Sequence, residues 1–390
     1  MQRDVLVERL RGLGTTIFTE MSKLAAQTDS INLGQGFPDT DGPDPVLTRA
    51  AAAITDHEAN QYAPGAGFPA LRAAVAEHRN RFYGLDYDPD GEILVTAGAT
   101  EAIAAALLAL VEPGSDVVAL EPYYDSYVAG IALAGGNRVP VTLRPPDFAL
   151  DHDALRAAIT PQTRVLLLNS PHNPTGAVLS RADLTAIADV AQEHDLLVVT
   201  DEVYEHLVYD GEHIPIASLP GMRERTVSVS SGGKTFAVTG WKVGWVCAPA
   251  DLVRAVATAK QFLTFTASGP FQLAVAEALR QPDEYYAELN DGMWMRRDLL
   301  CDGLADVGFE VYRPAGTYFV TTDVRPLGFA DGLDLCREMP KRCGVVAVPH
   351  QVFYDDHDAG RHLVRWAFAK RPDVLREAVR RLQGLRAGSI

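Results

Sequence analysis

The chain has 390 residues, 47% hydrophobic and 22% charged, a globular composition with enough apolar material for two domains. Its formal net charge of −16 opposes binding to nucleic acid or to an anionic membrane surface. Four cysteines (Cys247, Cys301, Cys336, Cys343) with no CxxC pair exclude a disulfide framework and a cysteine-built metal or redox site; no metal is expected.

Residues 1–45 read as an N-terminal arm and a Gly/Pro-rich loop after Leu33, with no sheet strand. Arg3, Asp4, Glu8, Arg9 and Arg11 have no long apolar stretch behind them, so no secretory signal is expected. The longest apolar run, Ala102 to Val111, is about half a membrane span and predicts a core helix closed by Pro113 and Gly114. These features point to a soluble, cytoplasmic protein.

From Ile93 onward, short apolar runs alternate with helical patterns. The runs are Ile93–Thr96, Val117–Leu120, Val139–Leu143, Val165–Leu168, Leu197–Thr200, Val227–Ser230 and Val243–Cys247. Most are continuously apolar, the mark of strands buried on both faces. They predict an α/β fold: a mostly parallel seven-stranded sheet covered by helices, in a large domain over 46–283. Near Glu284 the pattern changes. A long helix to about Leu304, strands at Phe309–Tyr312 and Tyr318–Thr322, a helix at Leu333–Arg342, strands at Val345–Val348 and Leu363–Phe368, and a last helix from Pro372 predict a smaller α+β domain, 284–390.

In open α/β sheets ligands collect at the carboxyl ends of strands. One run ends in Asn173-Pro174-Thr175-Gly176, the next in Asp201-Glu202-Val203-Tyr204, and the third in Ser231-Gly232-Gly233-Lys234. Upstream, Thr96 to Glu101 turns a strand into a helix whose free N–H groups make an anion site, and Tyr123 and Tyr124 follow the next strand. Lys234 is the most telling residue. Burial makes a lysine amine a nucleophile able to form a Schiff base, and its small neighbours let backbone approach a phosphate. A nucleoside-triphosphate P-loop needs glycine six positions before the lysine, and position 228 is Ser. The Thr96 turn is not GxGxxG, which weighs against a dinucleotide. Taken singly, Asp201 reads as a turn residue, Asn173 to Gly176 as an ordinary turn, and Tyr124 as packing. Together they fit one ligand: an aromatic ring bearing a phosphate, an aldehyde and a ring nitrogen.

On Asn32 to Asp39, Asn60-Gln61-Tyr62, Asn173 to Gly176, Asp201 to Tyr204, Ser231 to Lys234 and Val364-Arg365-Trp366, the chain resembles the fold-type I, pyridoxal 5'-phosphate (PLP) aminotransferases of class I/II over nearly its whole length. Within them it is most similar to the kynurenine/glutamine and the N-succinyldiaminopimelate groups. The opening Gly14 to Ser22 leans toward the latter. The resemblance implies that Lys234 holds PLP and acts as the base, and that Asp201 keeps the pyridine nitrogen protonated. Tyr204 and Asn173 would hydrogen-bond the ring hydroxyl, and Tyr124 would stack on the ring. Ser231, Lys242 and the amides of Ala99 and Thr100 would hold the phosphate. Much of the wider family has arginine in place of Lys242, whereas the kynurenine-type branch has lysine; lysine supplies charge without a fork. Arg365 would grip the substrate carboxylate, helped by the Gly36 backbone and Asn173. Tyr62 would reach the phosphate of a second subunit, making a homodimer obligatory. His172 reads as a loop residue.

The expected reaction moves an amino group from an L-amino acid, with glutamate the expected donor, to a 2-oxo acid by a ping-pong route. The alternatives are a cysteine-conjugate β-lyase or kynurenine aminotransferase activity, and, more distantly, a non-catalytic PLP-binding regulator. The last needs a DNA-binding module. Here the aminotransferase pattern begins within about the first 20 residues.

Overall fold

The computed structural model describes residues 5–11, 13 and 16–385; Gly14 and Thr15 of the opening motif lie outside them. The strands are β1 (Ile31–Asn32), β2 (Ile93–Thr96), β3 (Asp116–Glu121), β4 (Asn137–Thr142), β5 (Thr163–Asn169), β6 (Leu197–Asp201) and β7 (Thr226–Ser231). They continue with β8 (Gly244–Cys247), β9 (Glu310–Tyr312), β10 (Phe319–Asp323), β11 (Val345–Val346), β12 (Val348–Pro349) and β13 (Leu363–Ala367).

All seven expected runs enter one sheet, in the order β2-β8-β7-β6-β5-β3-β4. Every neighbouring pair is parallel except those made by β8, which runs against both β2 and β7. The middle of β5 shows why these runs are apolar throughout. Leu166 and Leu168 face one core and Val165 and Leu167 the other, all at most 2% exposed. Each such side chain contributes about 1.5–3 kcal/mol over an exposed position. Pro140 is tolerated because β4 is an edge strand. The helix Arg181–Glu193 that carries the chain from β5 to β6 starts at a capping box, with Ser180 accepting from Asp183 N–H and Asp183 accepting from Ser180 N–H.

The helix Asp283–Val307 leads to a four-stranded antiparallel sheet, β12-β13-β10-β9. Two expectations need correction. The first 45 residues do contain a strand: β1 pairs in parallel with β11, Ile31 opposite Val345. Two residues are too few to show a period, and the pairing is set by the distant Val345–Val346. The expected strand Val345–Val348 is also two strands. Val345–Val346 pairs with β1 and Val348–Pro349 with β13.

Behind the Asp201–Tyr204 turn lies a buried charge network. Arg79, on the helix Pro69–Tyr83, is 1% exposed and pairs with Glu202 (2.9 Å) and Glu205 (3.0 Å). Glu205 also accepts from Ser230 Oγ (2.6 Å), tying β7 to the same cation. His78 and His206 meet Nε2 to Nε2 at 2.7 Å beside it, and burial holds both rings neutral, at about 4 and about 3. The arginine's single charge offsets part of the cost of burying two carboxylates, and its two ion pairs tie the helix Pro69–Tyr83 to the turn that carries Asp201 and Tyr204.

Candidate active site

Because β5, β6 and β7 are adjacent and parallel, their carboxyl ends bring Asn169, Asp201 and Ser231 to one edge of the sheet. A cavity of about 470 Å³ opens there. Ala99, Thr100, Tyr124, Asn173, Asp201, Tyr204, Ser231, Lys234, Lys242, Gly36 and Arg365 all line it. Among the described residues its cations are Lys234, Lys242 and Arg365.

Lys234 sits in the single helical turn Gly232–Thr235 that follows β7. Its Nζ lies 3.5 Å from the Gly36 carbonyl and 5.6 Å from the ring centres of Tyr204 and Tyr318. Asp201, 5% exposed, accepts from the Tyr127 hydroxyl (2.7 Å) and the Val203 N–H (3.3 Å). Burial pushes its carboxyl up to about 6; those two donors and the charge of Lys234 offset only part of that cost. Such a carboxylate lacks a full cationic partner, which a protonated ring nitrogen would supply. Tyr204 is buried edge-on against Tyr318 (5.2 Å), and burial raises its phenol well above the ordinary range.

At the opposite end, β8 crosses the start of the helix Gly98–Leu110 so closely that a Cβ at Gly244 would lie 2.6 Å from the Gly98 carbonyl carbon and 2.7 Å from Ala99 N. Only glycine permits this approach. Lys242 Nζ then reaches Thr100 Oγ1 (3.3 Å). Helix-end amides, a hydroxyl, the lysine and Ser231 make a site suited to a phosphate. An amine, a buried carboxylate and this anion cradle around one cavity fit PLP.

Arg365, on β13 and 1% exposed, reaches the cavity from the smaller sheet. Its Nη1 donates to Asn173 Oδ1 (2.9 Å) and its Nη2 to the Gly34 carbonyl (3.0 Å), while Nε has no hydrogen-bond partner. Its guanidinium lies 4.0 Å from the centre of the Phe319 ring and 5.1 Å from those of Phe18 and Phe353. Burial pulls it down to about 10, still cationic at neutral pH.

Tyr62 does not join this chain's own cavity. It is 84% exposed and packs edge-on against Phe265 (5.5 Å). His172 is more than a loop residue: it is 2% exposed and hydrogen-bonds Thr175 Oγ1 (2.7 Å) inside the turn that presents Asn173. Sequence reasoning missed the hydrogen bond from Tyr127 to Asp201. It also missed Asn169, which donates to the Asp201 carbonyl (2.8 Å) and accepts from Asn173 N–H (2.8 Å). The signal for Tyr127 was its spacing from Tyr124, one turn along a helix.

Comparison with known proteins shows the family. The family model "Aminotransferase class I and II" matches residues 28–382. The structure of N-succinyldiaminopimelate aminotransferase from Mycobacterium tuberculosis superposes with a TM-score of 0.95 at 53% identity, covering 97% of this chain and 100% of that one. A methionine aminotransferase of Escherichia coli is 42% identical over 378 residues, 97% of each chain. Human kynurenine–oxoglutarate transaminase 1 is 36% identical over 411 residues, 95% of this chain and 96% of that one. With its mostly parallel seven-stranded sheet and a lysine, a buried aspartate and an arginine around one cavity, this chain belongs to the class I and II aminotransferases, PLP-dependent enzymes of fold type I.

Proposed function

We propose that the chain exchanges an amino group between an L-amino acid and a 2-oxo acid in two half-reactions at this one site. The observation that supports this reading is the convergence of Lys234, Asp201 and Arg365 from three separate elements on one cavity. PLP, when bound, supplies an aldehyde and an electron-withdrawing cationic ring. Ser231, Lys242 and the amides of Ala99 and Thr100 would hold its phosphate, Asp201 would pair with its ring nitrogen, Tyr124 would pack against the ring, and Asn173 and Tyr204 would bond its hydroxyl. Lys234 Nζ moves the proton of the substrate α-carbon. Arg365, with Asn173 and the Gly36 backbone, takes the substrate carboxylate through the guanidinium it brings to the cavity.

For the substrate we infer an N-succinyldiaminopimelate-type pair with glutamate as donor, on the strength of the full-length likeness to the M. tuberculosis enzyme. A second reading, an aromatic or sulfur-containing donor with kynurenine aminotransferase or β-lyase activity, is favoured by Phe18, Phe37 and Phe319 in the cavity wall. We read the working unit as a cytoplasmic homodimer in which Tyr62 serves the partner's site. The exposed Tyr62, Phe262 and Phe265 and the four unpaired cysteines support that. We also divide the chain into an arm (1–45), a large domain (46–283) and a small domain (284–390).

A panel of amino donors, followed by cofactor absorbance, tests the reading. Stoichiometric conversion to the pyridoxamine form with release of the matching 2-oxo acid is expected. Release of pyruvate and ammonia with no pyridoxamine form would establish the lyase instead. Within the same panel, Arg365→Ala is expected to raise KM for carboxylate donors roughly 10- to 100-fold, with a smaller change in kcat. An unchanged kcat/KM would remove Arg365 from the carboxylate site.

A further inference from the structure

The segment Gly34 to Asp39 runs past the cavity as a strap and contributes Gln35, Gly36 and Phe37 to its lining. It leaves β1 through Leu33, whose N–H donates to Val346 (2.8 Å) and whose carbonyl accepts from Ala367 (2.6 Å). Side chains of the smaller sheet and its flank then take the strap's carbonyls in turn. Arg365 Nη2 donates to Gly34 (3.0 Å), the Tyr318 hydroxyl donates to Gly36, and Lys370 Nζ donates to Phe37 (2.7 Å). The Arg371 N–H closes the far end on the Asp39 carboxylate (2.8 Å).

Up to Gly36 the strap is also wedged by packing: a Cβ there would lie 2.6 Å from Phe319 Cζ. Beyond Gly36 the hold changes. The Phe37 side chain is 46% exposed, and Lys370 Nζ lies 4.7 Å from the centre of its ring. Lys370 itself is only 6% exposed. Burial lowers the ammonium's pKa and Asp39 restores part of it, so the fold keeps a cation here against a desolvation cost. A buried ammonium donating to a carbonyl beneath an aromatic face is a strong, directional contact.

We propose that Lys370 is a positioning residue for the substrate: it latches the Phe37 carbonyl and so holds Gly36 and Phe37 in register with Arg365. This rests on the reading of Arg365 and Gly36 as the carboxylate end of the site. The latch acts on the strap and not on Lys234 or Asp201, so its loss weakens substrate binding while the chemical step is kept.

The experiment uses Lys370→Met in the full-length, PLP-loaded enzyme. KM for the amino donor is expected to rise about tenfold with kcat within about twofold, and cofactor loading is expected to be unchanged. Amide hydrogen exchange at Arg371, whose N–H is held by the Asp39 carboxylate at the end of the strap, is expected to speed up with and without cofactor. Asp39→Ala, an exposed change that frees the Arg371 N–H, is expected to shift KM in the same direction by less, and it decides the matter if Lys370→Met does not fold. Unchanged KM and exchange in the folded variants, or a loss confined to kcat, would overturn the proposal. If the wild type turns over no amino donor, the proposed function fails, and the exchange measurement still judges the latch.

Discussion

Lys234→Ala is expected to give a folded protein whose turnover of any amino donor falls by at least about 10⁴-fold, because one amine serves both as the covalent anchor and as the proton carrier. The structure says why folding should survive. Lys234 is half-buried, and its hydrogen bond to Gly36 is long at 3.5 Å. The turn that holds it is closed by the backbone, Phe236 N–H to the Gly232 carbonyl (3.1 Å), which alanine leaves intact. The packing beneath, Gly232 against Val275, is also untouched. The melting temperature should therefore stay within a few degrees of wild type. A second readout separates anchor from base: borohydride reduction of the wild type should fix the cofactor to Lys234, and the variant should show no adduct there. A small primary amine should restore part of the rate. Wild-type rates in the variant without added amine would refute the assignment.

The large sheet was legible because most of its strands are sealed on both faces, so most of the runs are apolar from end to end. The rule that ligands gather at carboxyl ends then led to Asn173, Asp201 and Lys234 before any coordinates. What stayed hidden has physical causes. β1 is two residues long and exists through its partner β11, so no local pattern marks it. Arg79 lies more than 120 residues before Glu202 and Glu205, and nothing near it in sequence shows that it pairs with them. A hint was present: Asp201, Glu202 and Glu205 crowd the end of a buried strand, and three carboxylates there require cations or donors from elsewhere. Lys370 was read past for a similar reason. In Phe368-Ala369-Lys370-Arg371 it resembles any lysine after a strand, and only the folded chain shows its ammonium buried against Phe37. Tyr62 differs again: the motif implies a contact with a second subunit's cofactor, and within this chain the ring faces outward, as such a contact requires.

Asp201→Asn is expected to stabilise the cofactor-free protein while lowering turnover of the loaded enzyme by roughly 10²–10³-fold. In the folded chain the carboxyl is pushed up to about 6, by burial above all, from an ordinary value of 3.8. A group whose folded pKa is raised contributes stability that is complete below about pH 4 and lost as pH rises through about 6. At neutral pH the buried anion therefore costs the cofactor-free fold about 3 kcal/mol. Asparagine removes that charge and keeps an acceptor for the Tyr127 hydroxyl. It gives up an acceptor at the longer Val203 N–H contact, so the net gain should be about 1–2 kcal/mol. Urea unfolding of both cofactor-free proteins between pH 4.5 and 8 (about the range in which such a carboxyl titrates) checks this. The variant's advantage should be largest at the alkaline end and shrink toward the acidic end. A constant offset, or a less stable variant at pH 8 (about the top of that range), would mean that Asp201 is already satisfied without the cofactor. With PLP bound the order should reverse, since a protonated ring nitrogen turns the same buried anion from a cost into a partner. The desolvation cost that the buried anion imposes on the cofactor-free protein would then favour the protonated, electron-withdrawing form of the bound ring.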